Sequence, residues 1–152
     1  MGVTAQRSQH VTSLLNGTIG SIKNVVPLDV TVDQPKLLEQ ALTMEFGVLI
    51  GITGDLRGKM VLTGDMTVFG TIGEKMFGMA LEGEMLASFS GELGNMIAGG
   101  LSTNIVEQGI RIDITSPTMF QGATTLSGYD KALQVPVTFE NAGDMGIYLL
   151  ID

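Results

Sequence analysis

Cysteine is absent from the 152 residues, which excludes disulfides, thiolate metal sites and a thiol nucleophile. Histidine occurs once, at His10, and a lone imidazole cannot assemble a zinc site. No metal or cofactor site of the chain's own is expected. The 8 basic residues stand singly along the chain against 16 acidic ones, for a net charge of −8. No basic patch can neutralise a run of phosphates, so nucleic acid and anionic membranes are not expected partners. No apolar run approaches the roughly 18 residues that a membrane-spanning helix needs. The N-terminus has neither the basic-then-apolar pattern of a signal peptide nor the Ser or Thr of a myristoylation motif. A cytoplasmic location is the expectation. Nucleotide-dependent chemistry finds no support either: Gly17-Thr18-Ile19-Gly20 lacks the Gly-Lys-Ser/Thr ending of a phosphate-binding loop.

What is present describes one folded unit. Hydrophobic residues make up 44% of the chain, enough to bury a core, and the length suits a single domain over 1–152. Glycine is abundant at 21 residues, and 10 methionines supply flexible apolar filler for a core or interface.

Val11, Leu14, Leu15, Ile19, Ile22 and Val25 recur at helical spacing, predicting a helix over about 4–24 that Pro27 terminates. Val30 and Val32 read as a short strand running to Pro35. Phe46–Ile52 reads as a buried strand, and residues 59–63 as its hairpin partner across the turn at 54–58. Asp55, Arg57 and Lys59 charge that hairpin tip. Helical periodicity returns over 66–80 and 84–107. Ile110, Ile112 and Ile114 alternate as a strand ending at Pro117, and two further strands follow at about 131–140 and 144–151. Pro136 confines its strand to a sheet edge or to a ladder position needing no donor.

The order repeats. Val30-Thr31-Val32-Asp33-Gln34-Pro35 aligns with Ile112-Asp113-Ile114-Thr115-Ser116-Pro117 at an offset of 82 residues (35 to 117), and Leu14-Leu15 falls on Met96-Ile97. Gly58–Leu62 aligns with Gly146–Leu150 at an offset of 88 (58 to 146). An internal duplication, with pseudo-repeats at about 4–65 and 84–152, accounts for both matches. The expected product is an α+β domain: a mostly antiparallel sheet of about six strands packed against long helices.

The segment Ser88-Phe89-Ser90-Gly91-Glu92-Leu93-Gly94-Asn95 is the most informative in the chain, although a Glu and an Asn at this spacing are by themselves usually a solvated helix face. At about 100° per residue, Ser88, Glu92 and Asn95 fall within a sector of about 60°. Phe89, Leu93, Met96, Ile97 and Leu101 are expected on the facing arc, in the core. The polar trio is thereby presented outward, with Gly99 one turn beyond Asn95. Interior glycine costs roughly 1 kcal/mol relative to alanine, so Gly91, Gly94, Gly99 and Gly100 in one helix imply close approach of another backbone.

Ser88-x3-Glu92-x2-Asn95, with Pro117 standing 22 positions after Asn95, resembles the motif of the CheC/CheX/FliY phosphatases, Asp/Ser-x3-Glu-x2-Asn followed by Pro. Length, element order and duplication fit the same family over nearly the whole chain. The short chain and the single motif copy resemble CheX more than CheC. The resemblance implies a CheC-like fold and hydrolysis of the aspartyl phosphate of a CheY-like response regulator. Within it, Asn95 orients the attacking water and Glu92 pairs with a lysine of the regulator. Ser88 and Pro117 support the motif, and the regulator supplies the Mg²⁺. It also implies a homodimer joined through its sheets. The alternative is a CheC-like module that binds a regulator or flagellar switch component without hydrolysis. In the first repeat His10 and Ser13 stand where the second has Glu92 and Asn95, and Gln6 where it has Ser88. That helix is expected to pack without catalysing.

Overall fold

The apolar stripe from Val11 to Val25 closes a first helix, α1 (Gly2–Val25). The computed structural model describes the backbone of residues 2–152 and the side chains from Gln9 onward. There follow β1 (Val30–Val32), β2 (Lys36–Leu37), β3 (Leu42–Gly54), β4 (Gly58–Gly64), α2 (Met66–Phe77) and α3 (Glu84–Val106). The chain ends with β5 (Ile112–Ile114), β6 (Thr118–Leu126), β7 (Lys131–Phe139) and β8 (Gly143–Ile151).

These strands form one 8-stranded sheet in the order β1-β7-β8-β4-β3-β5, with β2 also on β7 and β6 also on β3. All recorded pairings are antiparallel. The architecture is the expected α+β one, and the sheet carries eight strands rather than about six. β2 spans only two residues, and β6 shows little of the hydrophobic alternation that reveals a strand.

Both outer edges are built alike. β1 and β2 flank Pro35 along β7, and β5 and β6 flank Pro117 along β3. Proline has no N–H for a ladder, so each edge strand breaks there and resumes. Pro136 occupies the donor-free position the sequence allowed. Its carbonyl accepts from the Asp33 N–H at 2.9 Å, and in an antiparallel strand the nitrogen of a residue faces the same neighbour as its carbonyl. The missing donor therefore faces the gap between β1 and β2, and β7 is an inner strand.

α1 and α3 lie antiparallel over one face of the sheet. The Ser21 hydroxyl donates to the Ile97 carbonyl at 2.7 Å, and the Asn104 amide donates to the Gly17 carbonyl at 3.0 Å. Gly100 permits this approach, since a Cβ there would stand 2.2 Å from Ser21 Oγ. Beneath the helices, Val48, Ile50, Met60, Leu62, Val135 and Ile147 are buried against Leu93, Ile97 and Leu101. On the opposite face Leu42 and Met44, just before a register shift, join Val61, Ala132 and Leu150 in a second, smaller core.

Candidate active site

α3 begins after Gly83, whose φ of 58° turns the chain into the helix, and Glu84 places a carboxylate in the first turn, where the helix dipole favours it. Its inner face is fixed by Phe89, Leu93, Ile97 and Leu101, all buried. Gly94 sets the distance to the sheet: a Cβ there would meet Val48 Cγ1 at 2.8 Å and Ile50 Cδ1 at 3.1 Å. Neighbouring elements do crowd Gly94 and Gly100, but chiefly with side chains rather than the backbone that the glycines implied: Val48 and Ile50 at Gly94, and Ser21 at Gly100. At Gly99 a Cβ would meet nothing within 4 Å, and the helix surface is bare.

The opposite stripe carries the motif. Ser88 and Glu92 are exposed and Asn95 is half-buried. Met96 corrects the expected core list, being 38% exposed. It lies only about 40° round the helix from Glu92, which puts it on the shoulder of the polar stripe. Pro117 reaches the same place from the sheet edge: a Cβ on Gly91 would stand 3.5 Å from Pro117 Cγ and 3.6 Å from Met119 Sδ. Gly91 precedes Asn95 by one turn, so proline and motif, 22 residues apart in sequence, adjoin in space. Thr115 holds the segment before Pro117, its hydroxyl accepting from the Gly51 N–H at 2.8 Å and its own N–H donating to the Gly51 carbonyl at 3.0 Å.

The candidate site is thus the outward stripe of α3, with Ser88 and Glu92 exposed and Asn95 partly covered. A cleft of about 920 Å³ lined by Glu45, Thr63, Asp65, Gln134, Asp144 and Tyr148 includes none of the motif residues. Among the described residues no group of three His, Cys, Asp or Glu could hold a metal ion, and no helix is long and apolar enough to cross a membrane. An exposed carboxylate with a half-buried amide one turn on suits contact with the site of another macromolecule.

On α1 the arrangement differs. The Ser13 hydroxyl donates to the Gln108 side chain just beyond the end of α3, so this residue, 82 positions before Asn95 in sequence, is engaged within the chain. His10 is half-buried, and the side chain of Gln6 lies outside the described residues.

The sequence profile of the family described as "Chemotaxis phosphatase CheX" matches residues 46–140, a stretch that includes Ser88, Glu92, Asn95 and Pro117. The chain belongs to the CheX family. It is 25% identical over 146 residues to the "CheY-P phosphatase CheX" of Thermotoga maritima, covering 93% of this chain and 94% of the relative. Among solved structures, the chemotaxis protein CheX of Desulfovibrio desulfuricans superposes with a TM-score of 0.79 at 16% identity, covering 93% of this chain and 97% of that one. The CheX of a CheX–CheY–BeF3–Mg complex from Borrelia burgdorferi gives 0.76 at 20% identity, over 93% and 96% of the two chains. These likenesses establish a CheX-like fold.

Proposed function

We propose that the chain is a phosphatase that hydrolyses the aspartyl phosphate of a CheY-type response regulator, with Asn95 as the group that positions water. The observation that carries this reading is the Ser88–Glu92–Asn95 stripe, exposed at Ser88 and Glu92 and half-buried at Asn95, on a helix whose other face is fixed in the core, with Pro117 against Gly91. Membership of the CheX family and the named activity of the Thermotoga relative support the substrate class.

Water attacks phosphorus in line, the bond from phosphorus to the aspartyl oxygen breaks, and its electron pair returns to the carboxylate. The proton lost by the water passes to phosphate or solvent. Such a reaction is governed by positioning and electrostatics. The Asn95 amide does not titrate, so it serves by hydrogen-bonding and orienting the water rather than by removing its proton. Glu92, one turn before it, pairs with a cation in the regulator and fixes the docking register. The Mg²⁺ belongs to the regulator, where it neutralises charge on the phosphoryl oxygens. The protein acts in the cytoplasm as a homodimer, with one site per chain.

The test is phosphate release from a regulator phosphorylated with acetyl phosphate. Wild-type protein should accelerate release, and Asn95→Ala should abolish most of the acceleration while melting as wild type does. Binding without acceleration by the wild type would favour the non-catalytic module instead.

A further inference from the structure

Between Met85 and Val106, helix α3 carries one charged residue, Glu92, in a chain whose net charge is −8. Solvated helix faces normally carry charged residues. Depletion of charge with enrichment in methionine and aromatics marks instead the centre of a protein interface. Met85 is 54% and Met96 38% exposed. They stand seven residues before and four after Glu92, within about 20° and 40° of it around the helix and about 16 Å apart along the axis. Phe89 follows Met85 by one turn, and the exposed Phe77 ring meets Phe89 edge-on at 5.7 Å. An exposed aromatic ring of α2 thus lies against the buried Phe89 of α3.

We propose that Met85 and Met96 are the apolar anchors that grip the phosphorylated receiver protein on either side of Glu92. This rests on the function proposed above. A partner that admits Glu92 and Asn95 to its phosphorylated carboxylate must also cover the residues one and two turns away, and these are the two methionines. Their unbranched thioethers adapt to an irregular surface. A second copy of the chain is the weaker occupant, because a twofold contact centred here would bring two Glu92 carboxylates together. Recognition is then carried by the methionines and Glu92, and the chemical step by Asn95.

The experiment uses the full-length Met85→Gln/Met96→Gln double variant. Both side chains are exposed, so the core is untouched, and circular dichroism melts check the fold. The probes are the CheY-type receivers of the protein's own organism, loaded with beryllofluoride and Mg²⁺ for titration calorimetry or phosphorylated with acetyl phosphate for turnover. The double variant should raise Kd and KM by about tenfold or more with kcat unchanged, the size of an interface hot spot. Met85→Leu/Met96→Leu should restore affinity, and Asn95→Ala should bind nearly as wild type while losing turnover. Unchanged Kd and KM in the glutamine variant would overturn the anchors and leave the phosphatase intact, as would a loss confined to kcat. Altered self-association at unchanged KM would make this face a contact between copies and overturn the proposal. Failure of the wild type to bind or hydrolyse any receiver would instead remove the proposed function, and the anchors with it.

Discussion

Asn95 and Glu92 share one helix stripe, yet their removal should fail differently. Loss of the water-orienting amide in Asn95→Ala should lower kcat by about a hundredfold or more, the scale of a misplaced reactant, with little change in KM. Glu92→Ala should raise KM and Kd for the phosphorylated regulator as well, since a charge pair across an interface sets register. Equal affinity in wild type and Glu92→Ala would remove the docking role. A different, exposed carboxylate adds a pH dependence of its own. Glu140 is held above its ordinary value of 4.5, first by a hydrogen bond with the Asp29 side chain, then by repulsion from Asp29 and by burial. Its contribution to stability is complete below pH 4.5 and is lost as pH rises through the higher folded value. Glu140→Gln keeps a hydrogen bond and removes the titration, so it should melt higher than wild type at pH 7, with the gain vanishing below pH 4.5. Thermal melts across that range check it. At this scale the motif was legible because helical geometry is regular: one sector predicted Ser88, Glu92 and Asn95 to face outward, and only Asn95 is partly covered. Met96 was misplaced because an apolar residue at the border of a stripe can fall either way, and the helix's rotation against the sheet decides it.

The glycines of α3 differ in their element-level roles. At Gly94 an added methyl would strike the β-branched Val48 at 2.8 Å. The gain in helix propensity, roughly 1 kcal/mol, is then outweighed by an overpacking cost of about 1–3 kcal/mol. Gly94→Ala should lower the melting temperature. Gly99→Ala meets no atom within 4 Å and should raise stability by up to about 1 kcal/mol. Denaturant titration of the two variants should give opposite signs, and a stabilised Gly94→Ala would contradict the close approach of α3 to β3. Helices and hairpins announced themselves by period and turn chemistry. β6 did not, because Thr118–Leu126 is polar, bent at Gly122 with φ 99°, and largely solvent-facing. The sequence offset held a signal all the same: at 82 residues, Lys36-Leu37 falls on Thr118-Met119, where each broken sheet edge resumes.

For the whole molecule, the edges of the sheet bear on assembly. β6 pairs with β3 along one side and with no other strand among the described residues. Over its 9 residues, Thr118–Leu126, it carries no charged side chain. Edge strands ordinarily avoid self-pairing through charges, prolines or short length. This edge uses none of these along its run, because its proline, Pro117, stands before it. The opposite edge is shorter and interrupted, with β1 and β2 of 3 and 2 residues. For the homodimer expected from the sequence, β6 is the edge we propose for joining the two sheets. Mean hydropathy of +0.33 in a 16.0 kDa chain favours such burial. Lysines at two exposed positions of the strand, Ala123→Lys with Thr125→Lys, should block edge pairing by repulsion between copies. Sedimentation at micromolar concentration should then give a dimer for the wild type and a 16.0 kDa species for the double variant. A monomeric wild type would remove the dimer altogether. A dimer unaffected by the lysines would move the contact to another surface. If the β6 contact is right, the monomeric variant should retain phosphatase activity, because Asn95, Glu92 and their Pro117 neighbour all belong to one chain.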